Sequence, residues 1–171
     1  GIKDVLIITG PEHSGAFINL LRSGKGFGLR LSYEIQEEAG GIAQAIKLAE
    51  DFSDNGKILV ILGDNIFTQS LKKDVEDFKK KEKGAVVFGK NMVTKSKQYG
   101  VIEVEGGKVK SIEEKPEVPK SQIGQTGIYM YDGRVFDFIK KLKPSKRGEL
   151  EVTDLNNNYV REGTMICKML Y

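Results

Sequence analysis

The sequence is poor in the residues that most often announce a function. One cysteine, Cys167, leaves no disulfide to form within the chain. It lies among Met165, Ile166 and Met169, where a small buried hydrophobe is expected. One histidine, His13, falls in the polar opening of a helix pattern, where a surface role is expected. With no second histidine there is no Ser-His-Asp arrangement to defend, and no His/Cys cluster has the spacing of a zinc site. No apolar run reaches the ~18 residues of a membrane span, so no membrane partner is expected. The formal net charge is only +3, too small to argue for nucleic acid. The densest basic run, Lys79 to Lys81 beside Glu82 and Lys83, ends an amphipathic helix pattern, where cations suit the helix dipole and solvent. Internal repeats and low-complexity segments are also lacking.

What is present is the composition of a soluble globular chain, with 39% apolar and 30% charged residues over 171 positions. That is enough for one domain with its own core, spanning 1–171. Gly1 to Val5 run directly into a strand pattern without the regions of a secretory leader, so a reducing, cytoplasmic setting is expected.

The first part of the chain alternates strand and helix. Residues 5–9 read as a buried strand, stopped by Gly10 and Pro11, and 11–22 as a helix with Ala16, Phe17, Leu20 and Leu21 at helical spacing. Residues 29–36 alternate as a strand, Gly40 and Gly41 break it, and 42–52 form a helix face. Residues 58–62 are a run of apolar residues that reads as a fully buried strand, followed at once by Gly63, Asp64 and Asn65. A helix over 68–83 and a buried strand over 85–89 follow. Alternating runs then flank Glu105-Gly106-Gly107, the signature of a β-hairpin. A strand over 125–131, helices over 134–142 and 150–162 and a strand over 165–171 complete the chain. Strand-helix-strand order implies right-handed crossovers. The fold class is α/β: a Rossmann-like, three-layer, mixed and largely parallel sheet, with helices on both faces and a β-hairpin insertion.

Four segments could carry chemistry. Asp64 stands where a strand ends, the place where open α/β sheets bind ligands. It suits either a turn cap or a hard cation, which takes one or two carboxylates plus substrate phosphates. Gln36 carries an amide able to pair with the edge of a base, and Gly40-Gly41 at a helix start lets backbone amides approach a ligand; an ordinary strand-to-helix turn needs the same residues. Glu114 and Lys115, fixed by Pro116, could hold a sugar hydroxyl and a phosphate, or could be charges on an edge strand that deter aggregation. Arg147, in a loop feeding a helix, could fork onto phosphate or belong to a capping segment.

Taken in order, the segments "LIITGPE", "GGIAQAI", "LVILGDNIF", "YGVIE", "SIEEKP", "TGIYMYD" and "RGELEVTDLNNNY" resemble the sugar-1-phosphate nucleotidyltransferases over nearly the whole chain. "LGDNIF" followed by "GELEVTD" is more similar to the thymidylyl branch, the glucose-1-phosphate thymidylyltransferases, than to the uridylyl one. The resemblance implies that Gln36 and Gly41 recognise the pyrimidine base and that Asp64 binds Mg²⁺. It implies that Tyr99, Gly100, Glu114, Thr126 and Gly127 line the hexose site, and that Lys115 and Arg147 act as catalytic residues on the phosphates. The implied partners are a nucleoside triphosphate and a sugar 1-phosphate, and a homo-oligomer is expected. The implied attack of an already anionic sugar phosphate on the α-phosphorus needs no general base, in keeping with the lone histidine.

Two family features have no counterpart here: the N-terminal loop of the type G-G-x-G-T-R-L-x-P-x-T, and a W-x-D-x-G-T stretch whose Asp is the second metal ligand. The expectation is a central portion of a longer polypeptide, with unpaired sheet edges where the family's first strand would lie. Other readings are a uridylyl- or guanylyltransferase on another sugar phosphate, or an inactive nucleotide-sugar binding module. A glycosyltransferase would need an Asp-x-Asp motif, which Asp64-Asn65-Ile66 does not supply.

Overall fold

The computed structural model describes residues 1–92 and 98–171. The architecture is α/β with a mixed sheet. Strands β1 (Asp4–Thr9) and β2 (Arg30–Ile35) pair in parallel as a two-stranded sheet, bridged by helix α1 (Pro11–Leu21) and a short 3₁₀ turn. Helices α2 (Ile42–Lys47) and α3 (Glu50–Ser53) lead into β3 (Ile58–Ile61), then α4 (Lys72–Lys80) and β4 (Ala85–Asn91). The hairpin is β5 (Val101–Glu105) and β6 (Lys108–Glu113), followed by β7 (Ile123–Tyr131), α5 (Val135–Ile139), α6 (Val152–Arg161) and β8 (Met165–Leu170).

The larger sheet is organised on β7. β4 lies on one side of it, antiparallel, and carries β8 in parallel. On the other side β3 pairs antiparallel with the C-terminal half of β7, while β5 meets its start at Gly124. Thus β3, β4, β5 and β8 run one way, and β7 and β6 run against them. The hairpin turns on Gly106 and Gly107, at φ of 56° and 76°, left-handed values that a two-residue turn requires.

Strand alternation builds three layers. Ala85 and Val87 of β4 and Tyr129 and Tyr131 of β7 face one core, under α2, α5 and α6. Val86, Phe88, Ile128 and Met130 face a second core, under Leu71, Val75 and Phe78 around α4. Beside α4, Lys57 Nζ donates to the carbonyls of Lys79, at 2.8 Å, and Lys81, so a cation closes the helix's C-terminal end.

Two strands read as fully buried are not. β1 is half-exposed along its length, and β3 is half-buried, with Ile61 45% exposed. Among the described residues each has one unpaired edge: β1 pairs only with β2, and β3 only with β7. Ile66 is 96% exposed, and α1 buries none of its residues, leaving Leu20 75% exposed. The helix expected over 42–52 is divided into α2 and α3, and the one expected over 68–83 starts only at Lys72. Cys167 is partly buried against the first core, and burial pushes its thiol up.

Candidate active site

β7 does not keep register with β4. Val87 faces Tyr129 but Gly89 faces Gln125, so two steps along β4 match four along β7. The irregularity leaves Phe88 without a partner on β7, and the Thr126 hydroxyl donates to the Phe88 carbonyl at 2.8 Å. Gly127 lies in the bulged stretch of β7 and continues the β3–β7 register opposite Leu62. The Leu62 N–H donates to the Gly127 carbonyl at 2.8 Å, and the Gly127 N–H donates to Asn65 Oδ1 at 2.9 Å. A Cβ on residue 127 would lie 2.5 Å from Asn65 Nδ2 and 2.8 Å from Leu62 Cβ, so glycine is required for this approach. Asn65 Nδ2 in turn donates to Asp64 Oδ1 at 2.7 Å. The carboxylate at the end of β3 is therefore held by a chain of bonds that begins at the bulge.

Across the cavity, the end of β6 carries Glu114 and Lys115. Glu114 Oε2 accepts from the Thr153 hydroxyl of α6 at 2.7 Å, and its Oε1 lies 3.9 Å from Lys115 Nζ. Lys115 has a φ of 44°, a left-handed backbone that costs a non-glycine residue about 1–2 kcal/mol. Pro116 restricts that backbone further. The Lys115 N–H donates to the Tyr99 carbonyl at 3.3 Å, which ties the hairpin ends together. Strain of this kind collects at functional sites.

Arg147 comes from the loop before α6. Its guanidinium forks onto Glu151, with Nη2 at 2.9 Å from Oε2 and Nε at 3.2 Å from Oε1, and Glu149 is 3.4 Å away. These carboxylates, Glu151 foremost, hold the guanidinium's pKa above its ordinary value. Glu151 also accepts from the Ser145 hydroxyl at 2.7 Å, so the fork is anchored from behind.

These groups line one cavity of about 570 Å³, a size suited to a small ligand. Asp64, Tyr99, Gly100, Glu114, Lys115, Thr126, Gly127 and Arg147 all border it. The tyrosine at its floor, Tyr129, is held neutral by burial, with the nearby charge of Glu114 adding to the effect. Gln36 and Gly41 are elsewhere. Gln36 borders a second cavity beside α2 and α3, and its Nε2 donates to Gln44 Oε1 at 2.6 Å and to the Gly41 carbonyl at 3.1 Å. Gly41, at φ 94°, lies against the Leu150 backbone, where a Cβ would come within 2.6 Å of the Leu150 carbonyl oxygen. That contact packs the Gly40-Gly41 turn on the Arg147 loop.

Sequence reasoning missed Asn65, Gln125, Tyr129, Glu151 and Thr153. Asn65 and Glu151 had legible signals, being adjacent to Asp64 and four positions from Arg147. Gln125 and Tyr129 had none, because their orientation depends on the bulge.

The sequence model of a family described as Nucleotidyl transferase matches residues 1–170. The chain belongs to the nucleotidyl transferase family. Among its relatives, the glucose-1-phosphate thymidylyltransferase of Neisseria gonorrhoeae is 45% identical over 99% of this chain and 59% of its own length. That of Mycolicibacterium smegmatis is 40% identical over the same shares. The chain thus spans about 59% of the length of these curated relatives. A solved Bacillus anthracis protein in complex with sucrose, provisionally named a glucose-1-phosphate thymidylyltransferase, superposes with a TM-score of 0.92 at 46% identity. It is covered over 68% of its length, and this chain over 99%. A UDP-glucose pyrophosphorylase complexed with UDP-glucose shares the fold, at a TM-score of 0.81 and 23% identity over 99% of this chain and 73% of that one. Among the described residues no helix is long and apolar enough to cross a membrane.

Proposed function

We propose that this chain carries the sugar-binding and metal-holding part of a site that transfers a thymidylyl group from dTTP to glucose-1-phosphate, giving dTDP-glucose and pyrophosphate. One observation carries the proposal: a single cavity gathers Asp64, Glu114, Lys115 and Arg147 around Tyr99, Gly100, Thr126 and Gly127. Carboxylates that accept and cations that donate around one cavity suit a ligand bearing both hydroxyls and phosphates.

In this reading Glu114, steadied by Thr153, accepts from sugar hydroxyls, while Lys115 and Arg147 bind phosphate oxygens. The sugar phosphate oxygen attacks the α-phosphorus of dTTP in line, and pyrophosphate leaves. The nucleophile is already an anion near neutral pH, so no residue need remove a proton. Lys115 and Arg147 attract the charge that builds up on the transferring phosphoryl group, and the cavity walls fix the approach. Gln36 and Gly41 would meet the base, from the second cavity and the Gly40-Gly41 turn.

The donors fit Mg²⁺. Asp64 is a hard oxygen ligand at a strand end, oriented by Asn65. Among the described residues no group of three or more acid, histidine or cysteine side chains could hold a metal by itself. An ion held by Asp64 would take its remaining ligands mainly from substrate phosphates. Such an ion, when bound, neutralises phosphate charge. Among the described residues β1 and β3 each leave one strand edge unpaired. The partly buried free thiol of Cys167 fits a cytoplasmic enzyme.

The test supplies the full-length protein with glucose-1-phosphate, Mg²⁺ and dTTP, UTP or GTP, and identifies products by anion-exchange chromatography and mass. Fastest formation of dTDP-glucose is expected. A faster reaction with UTP or GTP would reassign the nucleotide. Tight dTDP-glucose binding without any turnover would make the protein a binding module instead.

A further inference from the structure

Behind the cavity lies a buried polar chain that fixes which way one amide points. Tyr131 is fully buried, and its hydroxyl is 2.7 Å from Asn156 Oδ1. Asn156 is fully buried too, and its Nδ2 is 3.0 Å from Gln125 Oε1. Gln125 borders the cavity, with Nε2 at 3.4 Å from the Tyr129 hydroxyl. Reversing the chain would require the Tyr131 hydroxyl to accept rather than donate. Its own hydrogen would then be buried without an acceptor, because Asn156 is its hydrogen-bond partner in the described structure. Burial holds this phenol in its neutral, donating form. The polarity therefore runs outward: Tyr131 donates to Asn156, Asn156 donates to Gln125, and Gln125 is left with its amide nitrogen forward.

That nitrogen has two hydrogens, and the long contact to Tyr129 occupies one of them. Gly100 makes room for the group, since a Cβ there would lie 3.3 Å from Gln125 Nε2. A half-buried donor with a spare hydrogen, locked in orientation at the wall of a polar cavity, is built to read an acceptor.

We propose that Gln125 is a specificity-determining residue for the sugar, its Nε2–H donating to one hydroxyl oxygen of the hexose 1-phosphate. The proposal rests on the sugar-phosphate reading of the cavity. It predicts the sign of recognition as well as its existence. A fluorine at the recognised ring position, which can accept but not donate, keeps more of the contact than a hydrogen does.

The experiment uses the full-length protein with saturating dTTP and compares glucose-1-phosphate with its 2-, 3-, 4- and 6-deoxy and deoxyfluoro analogues. It is run on the wild type, Gln125→Glu and Gln125→Met. The glutamate keeps the acceptor for Asn156 and loses the donor; the methionine keeps the volume and loses both, so the pair separates recognition from packing. In the wild type, kcat/KM should fall about tenfold for the deoxy analogue at one position and recover in part with fluorine. In both variants that preference should collapse to about unity at that position only, with KM for dTTP unchanged. Variants that lose activity equally towards every analogue, or that keep the wild-type preferences, would overturn the assignment while leaving the proposed reaction intact. A wild-type protein that neither binds nor turns over any hexose 1-phosphate, by calorimetry and product assay, would overturn both.

Discussion

Asn65 binds the bulge and the candidate metal ligand together: its Oδ1 accepts from the Gly127 N–H at 2.9 Å while its Nδ2 donates to Asp64 at 2.7 Å. Replacing Asn65 with alanine removes both contacts and leaves the Gly127 N–H without its partner. The expected cost is about 1–2 kcal/mol in stability, read as a lower midpoint in urea. Activity should fall further than stability explains, because Asp64 loses its orientation. Gly127→Ala attacks the same junction by overpacking, and should cost about 1–3 kcal/mol.

Lys115 separates backbone strain from side-chain chemistry. Lys115→Gly relieves the left-handed backbone and is expected to leave the thermal midpoint unchanged or raised by an amount worth up to about 1 kcal/mol. Lys115→Ala keeps the strain and gains nothing. Both should lower kcat by at least about tenfold, because both remove the cation. A glycine variant as active as the wild type would remove Lys115 from the chemistry.

Much of the fold was legible in the sequence, and the exceptions share a cause. The strands over 85–89 and 125–131 were read where β4 and β7 lie, and Gly106-Gly107 announced the hairpin. Continuous hydrophobicity in β1 and β3 was read as burial, but burial depends on neighbours, and each strand has an unpaired edge. The candidate site was legible where one motif carried both the residue and its surroundings, as in Asp64-Asn65 and Glu114-Lys115. It was illegible at Gln125, whose role comes from a register break and from Asn156, thirty-one positions away in sequence.

Arg147 and Glu151 should behave as a unit. Glu151→Ala frees a guanidinium that the fork now aims, and the predicted result is a KM for sugar phosphate raised about tenfold with a smaller change in kcat. Arg147→Ala should lower kcat/KM by about a hundredfold. In a double-mutant cycle the two losses should be markedly less than additive. Full additivity in steady-state kinetics would show that Glu151 does not act through Arg147.

Alkaline pH tests the buried tyrosines. Burial raises the ionisation of Tyr129, Tyr131 and Tyr159 above the ordinary tyrosine value of about 10. Above that pH the unfolded chain loses protons that the folded chain keeps, so these groups lower stability as pH rises. Below it they contribute no pH dependence. Urea midpoints should therefore decline from about pH 10 upward, and the tyrosinate absorbance of these three rings should appear together with unfolding. Their ionisation in a still-folded protein would contradict their burial.

The most direct measurement of the central claim is pyrophosphate release from dTTP and glucose-1-phosphate by the full-length protein, comparing the wild type with Asp64→Asn across a Mg²⁺ titration. The wild type should release pyrophosphate in step with dTDP-glucose. The variant should be slower by at least about a hundredfold at low Mg²⁺, with partial recovery as the ion is raised. An Asp64→Asn protein that matches the wild type at every Mg²⁺ concentration would contradict the assignment of this cavity to nucleotidyl transfer.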